Sequence, residues 1–353
     1  MGLKLFDSYV FFMTTNFDID KIPLSQWSEF KNRSAEVLEG GLINSTYKVG
    51  KPPVGVLQSL NPIFGPTVNG DIDVITSELS RQGVLTPRVL KTTDGKLYYT
   101  GPDGACWRAL SWVNGVTHHK LQDPKLAASA ASMVGTWHKA LSGFEHEFVF
   151  SRPGAHDTAN HMAALVSGIS NNRSHRLASH VEALSESILL AWDGWGGTLS
   201  LKPRVCHGDL KISNLQFNEQ GEAIALLDLD TIGMLSIDVE MGDAWRSWCN
   251  PAAEDVTEAT FDVQLFEASS RAYLQANPLS AEERESLVWG VERICLELSA
   301  RFALDALKEC YFGWNPKVAA SRGEHNLIRA KGQLSLALSV GAQRSALERF
   351  VLS

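Results

Sequence analysis

The stretch Arg204–Thr231, RVCHGDLKISNLQFNEQGEAIALLDLDT, decides how the chain is read. A short apolar lead, Val205–Cys206, runs into His207-Gly208-Asp209, and Asn214 follows five residues after Asp209. Leu215–Phe217 then reads as a strand and a polar turn closes at Gly221. Ala223–Leu227 reads as a second strand, ending in Asp228, with Asp230 two residues on. Two strands joined by a glycine-containing turn form a hairpin whose far ends return to one place. Asn214 and Asp228 are therefore expected side by side, with Asp209 above them on the preceding loop. A lone carboxylate beside an amide–carboxylate pair suits phosphoryl transfer. The first deprotonates an attacking hydroxyl, and the pair holds a divalent cation against phosphates. A plain hairpin whose Asn and Asp residues only make turns accounts for Asn218. It does not account for a carboxylate closing an apolar strand.

His207-Gly208-Asp209-Leu210-Lys211-x-x-Asn214, followed by Leu227-Asp228-Leu229-Asp230, resembles the aminoglycoside phosphotransferase branch of the protein-kinase-like superfamily. Other segments are similar to the N-acetylhexosamine 1-kinase group within it. These are Gly41-Leu42-Ile43-Asn44-Ser45-Thr46-Tyr47, Val56-Leu57-Gln58-x-x-Asn61, Asp228-x-Asp230-Thr231, Gly242-Asp243-Ala244-x-Arg246 and His325-Asn326-Leu327-x-Arg329. They are spread over most of the chain. The resemblance therefore implies an α+β, two-lobed kinase fold, with a small β-rich lobe over residues 1–112 and a larger helix-rich lobe over 113–353. It implies ATP and Mg²⁺ as cofactors and a small hydroxylated acceptor, an N-acetylhexosamine or related amino sugar. Asp209 would be the base, and Lys211 would neutralise the transferred phosphoryl group. Asn214 and Asp228 would bind the metal, with Asp230 supporting the metal or the sugar.

The totals agree with an ordinary folded enzyme. Of 353 residues, 44% are hydrophobic and 20% charged, and the net charge is −8. That balance, with no basic run, argues against a nucleic-acid partner. Cys106, Cys206, Cys249, Cys295 and Cys310 are far apart and never form a CxxC pair, as expected of free thiols in a reducing cytoplasm. The apolar run Tyr9–Met13 is too short to span a membrane and lacks the flanks of a signal peptide. A cytoplasmic protein without a membrane partner is expected.

Along the chain, residues 1 to about 33 read as helical turns packed against the first lobe. The β pattern starts at Glu36, with Gly40-Gly41 between two strands and a third strand at Val54–Leu57. Glycines let backbone approach phosphates closely. Gly40 and Gly41 are thus expected to cover the ATP phosphates, with Asn44, Ser45 and Thr46 offering donors. Protein kinases place a lysine on the third strand to grip the α- and β-phosphates. Here that strand reads Val56-Leu57-Gln58, and Lys48 and Lys51 lie elsewhere on the hairpin. Gln58 can donate but carries no charge, so metal and loop amides would share the phosphates.

Val68, Ile72, Ile75 and Leu79 have helical spacing after Pro66-Thr67, and Glu78 sits on that helix where a kinase ion-pair partner would stand. Strands are expected at Val84–Leu90, Leu97–Thr100 and Ala105–Val113. The hinge falls at residues 111–116, where the backbone of Trp112 and Val113 would hold the adenine edge and Gly115 would supply the bend. Asp123-Pro124 opens a helix with the order of a cap residue and a first-turn proline. Further helices are expected over 157–167 and 175–192, near 242–246, and after the Ser280–Glu283 capping box.

In the resemblance, Asp243 braces the catalytic loop and Arg246 reaches substrate or a structural carboxylate. The acceptor pocket is drawn from Asp209, Arg301, Tyr311, His325 and Arg329, whose donors, acceptors and aromatic face suit a sugar. Two rivals follow from the same residues. One is a kinase for an aminoglycoside, choline or ethanolamine, or homoserine, which would need several acidic residues lining the second lobe's cleft; the local acidic cluster is the stretch 253–258, which a plain surface position also explains. The other is a binding scaffold without turnover, favoured by the absent lysine alone.

Overall fold

The computed structural model describes residues 22–38, 43–252 and 254–352. Its first part is one antiparallel sheet. Strands β1 (Ala35–Val37), β2 (Ser45–Val49) and β3 (Gly55–Ser59) are followed by helix α1 (Val68–Arg81). The short β4 (Val89–Leu90), β5 (Tyr99–Thr100) and then β6 (Cys106–Ser111) complete it. The order is β1-β2-β3-β6-β4, with β5 also on β6, and Gln58 faces Arg108 across the β3–β6 ladder. The strand expected over Val84–Leu90 is only two residues long. Pro87 lies inside it, and a proline cannot donate to a ladder.

α1 buries the expected stripe: Val68, Ile72, Ile75 and Leu79 are all at most 2% exposed. Gly83, at φ +78°, ends the helix, and the Val84 N–H closes back onto the Leu79 carbonyl. Residues 22–30 do pack against the sheet. Trp27 and Phe30 join Tyr47, Val49, Leu57 and Trp107 in a core of their own. A second, larger core takes in α1 and nearly everything that follows.

The second part is mostly helical. α2 (Pro124–Ala140) starts at Asp123, whose carboxylate accepts from the Lys125 N–H, a cap worth about 1 kcal/mol. α3 (Thr158–Asn171) and α4 (Ala178–Asp193) follow. β7 (Arg204–Cys206), the hairpin β8 (Leu215–Phe217) and β9 (Ala223–Leu226), and β10 (Gly233–Leu235) come next. α5 (Ile237–Trp248), α6 (Val263–Ala276), α7 (Ala281–Lys308) and α8 (Arg322–Leu352) complete the chain. The capping box at Ser280 and Glu283 forms as read. The apolar lead into His207 turns out to be a strand, because β10 returns to pair with it. Among the described residues, no helix is long and apolar enough to cross a membrane.

The segment after β6 links the two parts. Val116 and Phe217 exchange both backbone hydrogen bonds at 2.8 Å, tying this segment to β8. Gly115 has φ +146°, and a Cβ there would lie 2.3 Å from the Phe217 carbonyl oxygen. A side chain does not fit at that crossing.

Candidate active site

The hairpin brings the expected residues together. Leu215 pairs with Leu226, and the Leu227 N–H donates to the Asn214 carbonyl at 2.7 Å, so Asn214 and Asp228 leave the same end of the ladder. Asn218 and Gly221 form the turn at the other end: the Asn218 side chain accepts from the Gln220 and Glu222 N–H groups. Asn214 Nδ2 donates to the Asp209 carbonyl at 2.8 Å and to Asp209 Oδ2 at 3.2 Å. That commits the amide nitrogen and leaves Oδ1 as the side chain's acceptor atom. Lys211 Nζ lies 3.0 Å from Asp209 Oδ1. Burial alone would lower the Lys211 pKa, but Asp209 and Asp243 together raise it. It is a cation held at the Asp209 carboxylate.

Asp228 adopts left-handed backbone, φ 56° and ψ 64°, which is strained for a residue with a side chain. The residue as a whole is exposed, but its carboxyl pKa is pushed up to about 6, by desolvation first, then by Asp230 and Asp209. Arg108 and His207 oppose that rise. An oxygen-rich cluster that resists its own ionisation fits a hard divalent cation, which would supply the missing positive charge.

The loop carrying Asp209 is held from three sides. His207 is fully buried; its Nε2 donates to the Leu227 carbonyl at 2.7 Å, and its Nδ1 accepts from the Asp209 N–H. Thr231 Oγ1 donates to the His207 carbonyl, and Trp248 Nε1 to the Leu210 carbonyl. Glu240 on α5 accepts from the N–H groups of His207 at 2.8 Å and Gly208 at 2.9 Å. Glu240 is therefore the brace expected at Asp243. Asp243 instead pairs with Arg246 at 2.9 Å, and Arg246 Nη1 reaches Glu254 at 3.1 Å. The signal that could have found Glu240 is its position, a carboxylate in the first turn of the helix after β10; the residue is only 2% exposed.

Other expected residues lie elsewhere. Gly40 and Gly41 fall outside the described residues. Asn44 Nδ2 donates to Asp230 Oδ2 at 2.6 Å, and its Oδ1 accepts from the Asn61 N–H. Gln58 donates to Thr46 Oγ1 and accepts from Arg108 Nε and Nη2 at 2.9 and 2.7 Å. Asp230, read as a metal and substrate residue, is fully buried and ion-paired to Arg108, so both its oxygens are taken by side chains from the sheet side. Arg108 was not singled out in the sequence; an arginine inside a strand of otherwise apolar residues was its one signal. Glu78 does not face the cleft carboxylates but pairs with Arg81 at 2.7 Å. Trp112 donates to Asn114 Oδ1, and the Val113 carbonyl accepts from Gln216 Nε2.

On the acceptor side, Arg301 donates to Glu297 at 3.4 Å and lies 5.8 Å from the Tyr311 ring centroid. Asp305 accepts from the N–H groups of Cys310, Tyr311 and Phe312, which fixes that loop. His325 and Arg329 both hold Asp255, at 2.9 and 2.7 Å. The His325 ring is fully buried with both nitrogens engaged, the second by the Asn315 N–H, so it is not presented to a cleft. A cavity of about 600 Å³ is lined by Gly208 and Thr231 at one end, with His156, Phe148, Phe150 and Arg293 among its walls.

A small antiparallel sheet above a helical body, with an Asp-x₄-Asn loop and a following hairpin in the cleft, defines a protein-kinase-like phosphotransferase fold. Residues 34–279 match the model of the phosphotransferase enzyme family, and the chain belongs to that family. Among solved structures it is similar to the amicoumacin kinase hAmiN in complex with AMP-PNP, Ca²⁺ and Ami. That pair has 12% identity and a TM-score of 0.60, covering 85% of this chain and 87% of that one. It is also similar to a microcompartment-associated aminopropanol kinase, with 14% identity and a TM-score of 0.60, covering 92% and 96%. A third is a choline/ethanolamine kinase family protein from Mesorhizobium loti, with 16% identity and a TM-score of 0.57, covering 95% and 96%.

Proposed function

We propose that the protein is an ATP-dependent small-molecule kinase whose acceptor is the hydroxyl of a neutral or N-acylated sugar. The observation that carries the kinase reading is the convergence of Asp209, Asn214 and Asp228 at one end of a hairpin. Asp209 takes the proton of the attacking hydroxyl, oriented by the Asn214 amide. Lys211, 3.0 Å from Asp209, offers charge to the group in flight. Asn214 Oδ1 and the Asp228 carboxylate would hold the divalent cation, read as Mg²⁺, which screens charge on the nucleotide phosphates when bound. Five free thiols are in keeping with a reducing, cytoplasmic setting.

The sugar reading rests on charge matching. A cationic acceptor calls for carboxylates left without partners. Here Asp209 has Lys211, Asp243 and Glu254 share Arg246, Glu297 has Arg301 and His156, and Asp255 has His325 and Arg329. The acidic stretch that would have favoured an amine is thus neutralised at Glu254 and Asp255. Phosphorus NMR of reactions with ATP, Mg²⁺ and a panel of N-acetylhexosamines, hexoses, amino alcohols and aminoglycosides tests this. A sugar phosphate ester is the expected product. Phosphorylation confined to amino alcohols or aminoglycosides would overturn the sugar reading, and no phosphorylated product from any acceptor would overturn the kinase reading.

A further inference from the structure

We propose that Arg108, on the strand beside β3, supplies the small lobe's cation in place of a third-strand lysine and latches Asp230 across the cleft. Asp230 is then the anchor of a latch and not a ligand of the metal. The inference rests on the kinase reading above and goes beyond it by assigning two residues.

Gln58 occupies the strand position where a kinase lysine would stand, and it faces Arg108 directly. Arg108 places Nε and Nη2 on Gln58 Oε1 and Nη1 on Asp230. A planar guanidinium can serve two acceptors at once in a fixed geometry, which an ammonium cannot. Lys48 and Lys51, the other basic residues of the hairpin, are both drawn to Glu36. Arg88 is held at Ser77 and the Thr76 carbonyl on α1. Arg108 is the cation aimed at the carboxylates.

Each Asp230 oxygen already has a side-chain partner. One oxygen takes Arg108 and the other takes Asn44, whose own carbonyl accepts from the Asn61 N–H. The latch therefore joins β6, β3 and the start of β2 to the turn that carries Asp228. Both charges are fully buried. A buried pair of this kind is costly to break from one side, since the partner is left charged and unpaired. Arg108 thus acts as a positioning residue: it fixes Asp230, and through it the neighbouring Asp228, with the small lobe closed over them.

The test is calorimetry of AMP-PNP binding, with and without MgCl₂. It compares wild type, Arg108→Gln, Arg108→Lys, Asp230→Asn and the double variant Arg108→Gln/Asp230→Asn, each well below its measured Tm. Arg108→Gln should weaken Mg²⁺-dependent binding by about tenfold or more, because the buried Asp230 carboxylate loses its partner. Arg108→Lys should fall between it and wild type. The double variant should bind more tightly than Arg108→Gln, because no charge is stranded, and Asp230→Asn should keep its Mg²⁺ dependence. Loss of Mg²⁺ dependence in Asp230→Asn would make Asp230 a metal ligand and overturn the proposal. So would an Arg108→Gln variant whose Tm falls while binding stays at the wild-type level, which is a purely structural role. If Arg108→Gln does not fold, the Arg108→Lys and double variants decide by the same criteria. Wild type binding no Mg²⁺–nucleotide would instead bring down the kinase reading, and the latch's role with it.

Discussion

Asn214 and Asp209 are five positions apart and meet at 3.2 Å; Asn44 and Asp230 are 186 positions apart and meet at 2.6 Å. The floor of the cleft is built by a loop and the hairpin next to it. The roof network of Asn44, Gln58, Arg108 and Asp230 is gathered from three strands and a distant turn. A floor of that kind closes short loops and costs little chain entropy beyond the hairpin itself. The roof exists only once the sheet and the helical body have docked. Reactive groups are thus set locally, while the geometry that closes over them is set by the whole fold.

That contrast can be strained from both sides. The largest effect belongs to the floor. Asp209→Asn should lower kcat by about 10²–10⁴-fold, the usual worth of a positioned base, while nucleotide affinity by calorimetry stays near wild type. A variant keeping a tenth of wild-type turnover would remove Asp209 from that role.

A middle-sized effect belongs to Glu240, which supports the floor from over 30 positions away. Glu240→Gln should cost about 2 kcal/mol of stability, as for charged groups accepting buried N–H bonds, read from urea unfolding. It should also reshape the acid limb. Burial would raise the Glu240 pKa, but His138, His207 and the Gly208 N–H together lower it. The carboxylate's contribution is therefore complete above its unfolded value, about 4.3, and is lost as pH falls through the lower folded value. The variant should lack that loss; an unchanged acid limb would mean the brace is not ionised.

The smallest effect is a predicted absence. Glu78→Gln should leave kcat, nucleotide affinity and Tm unchanged, because Glu78 pairs with Arg81 on its own helix. Loss of nucleotide affinity there would return the ion-pair role to α1 and take it from Arg108.

Legibility followed the same divide. His207 to Asp230 could be read because period-two strands and one glycine turn suffice to bring Asn214 to Asp228. The α1 stripe and the caps at Asp123 and Ser280 were legible for the same local reasons. The partners of Asp230 were not legible, because Arg108 and Asn44 lie in or beside strands whose pairing no short-range pattern specifies. The brace was read one turn too late, at Asp243: both carboxylates lie on one helix, and only packing shows that Glu240 faces the loop. His325 and Arg329 were drawn to the acceptor by their chemistry, but Asp255 sits between them and claims both.

The central claim is that Asp209, Asn214 and Asp228 gather around one divalent cation beneath a nucleotide. It is tested most directly by calorimetric titration of AMP-PNP into wild type and Asp228→Ala, each with MgCl₂ and with EDTA. The account predicts binding by wild type that depends on Mg²⁺, and loss of that dependence in the variant. Equal, Mg²⁺-dependent affinity in both proteins would contradict it.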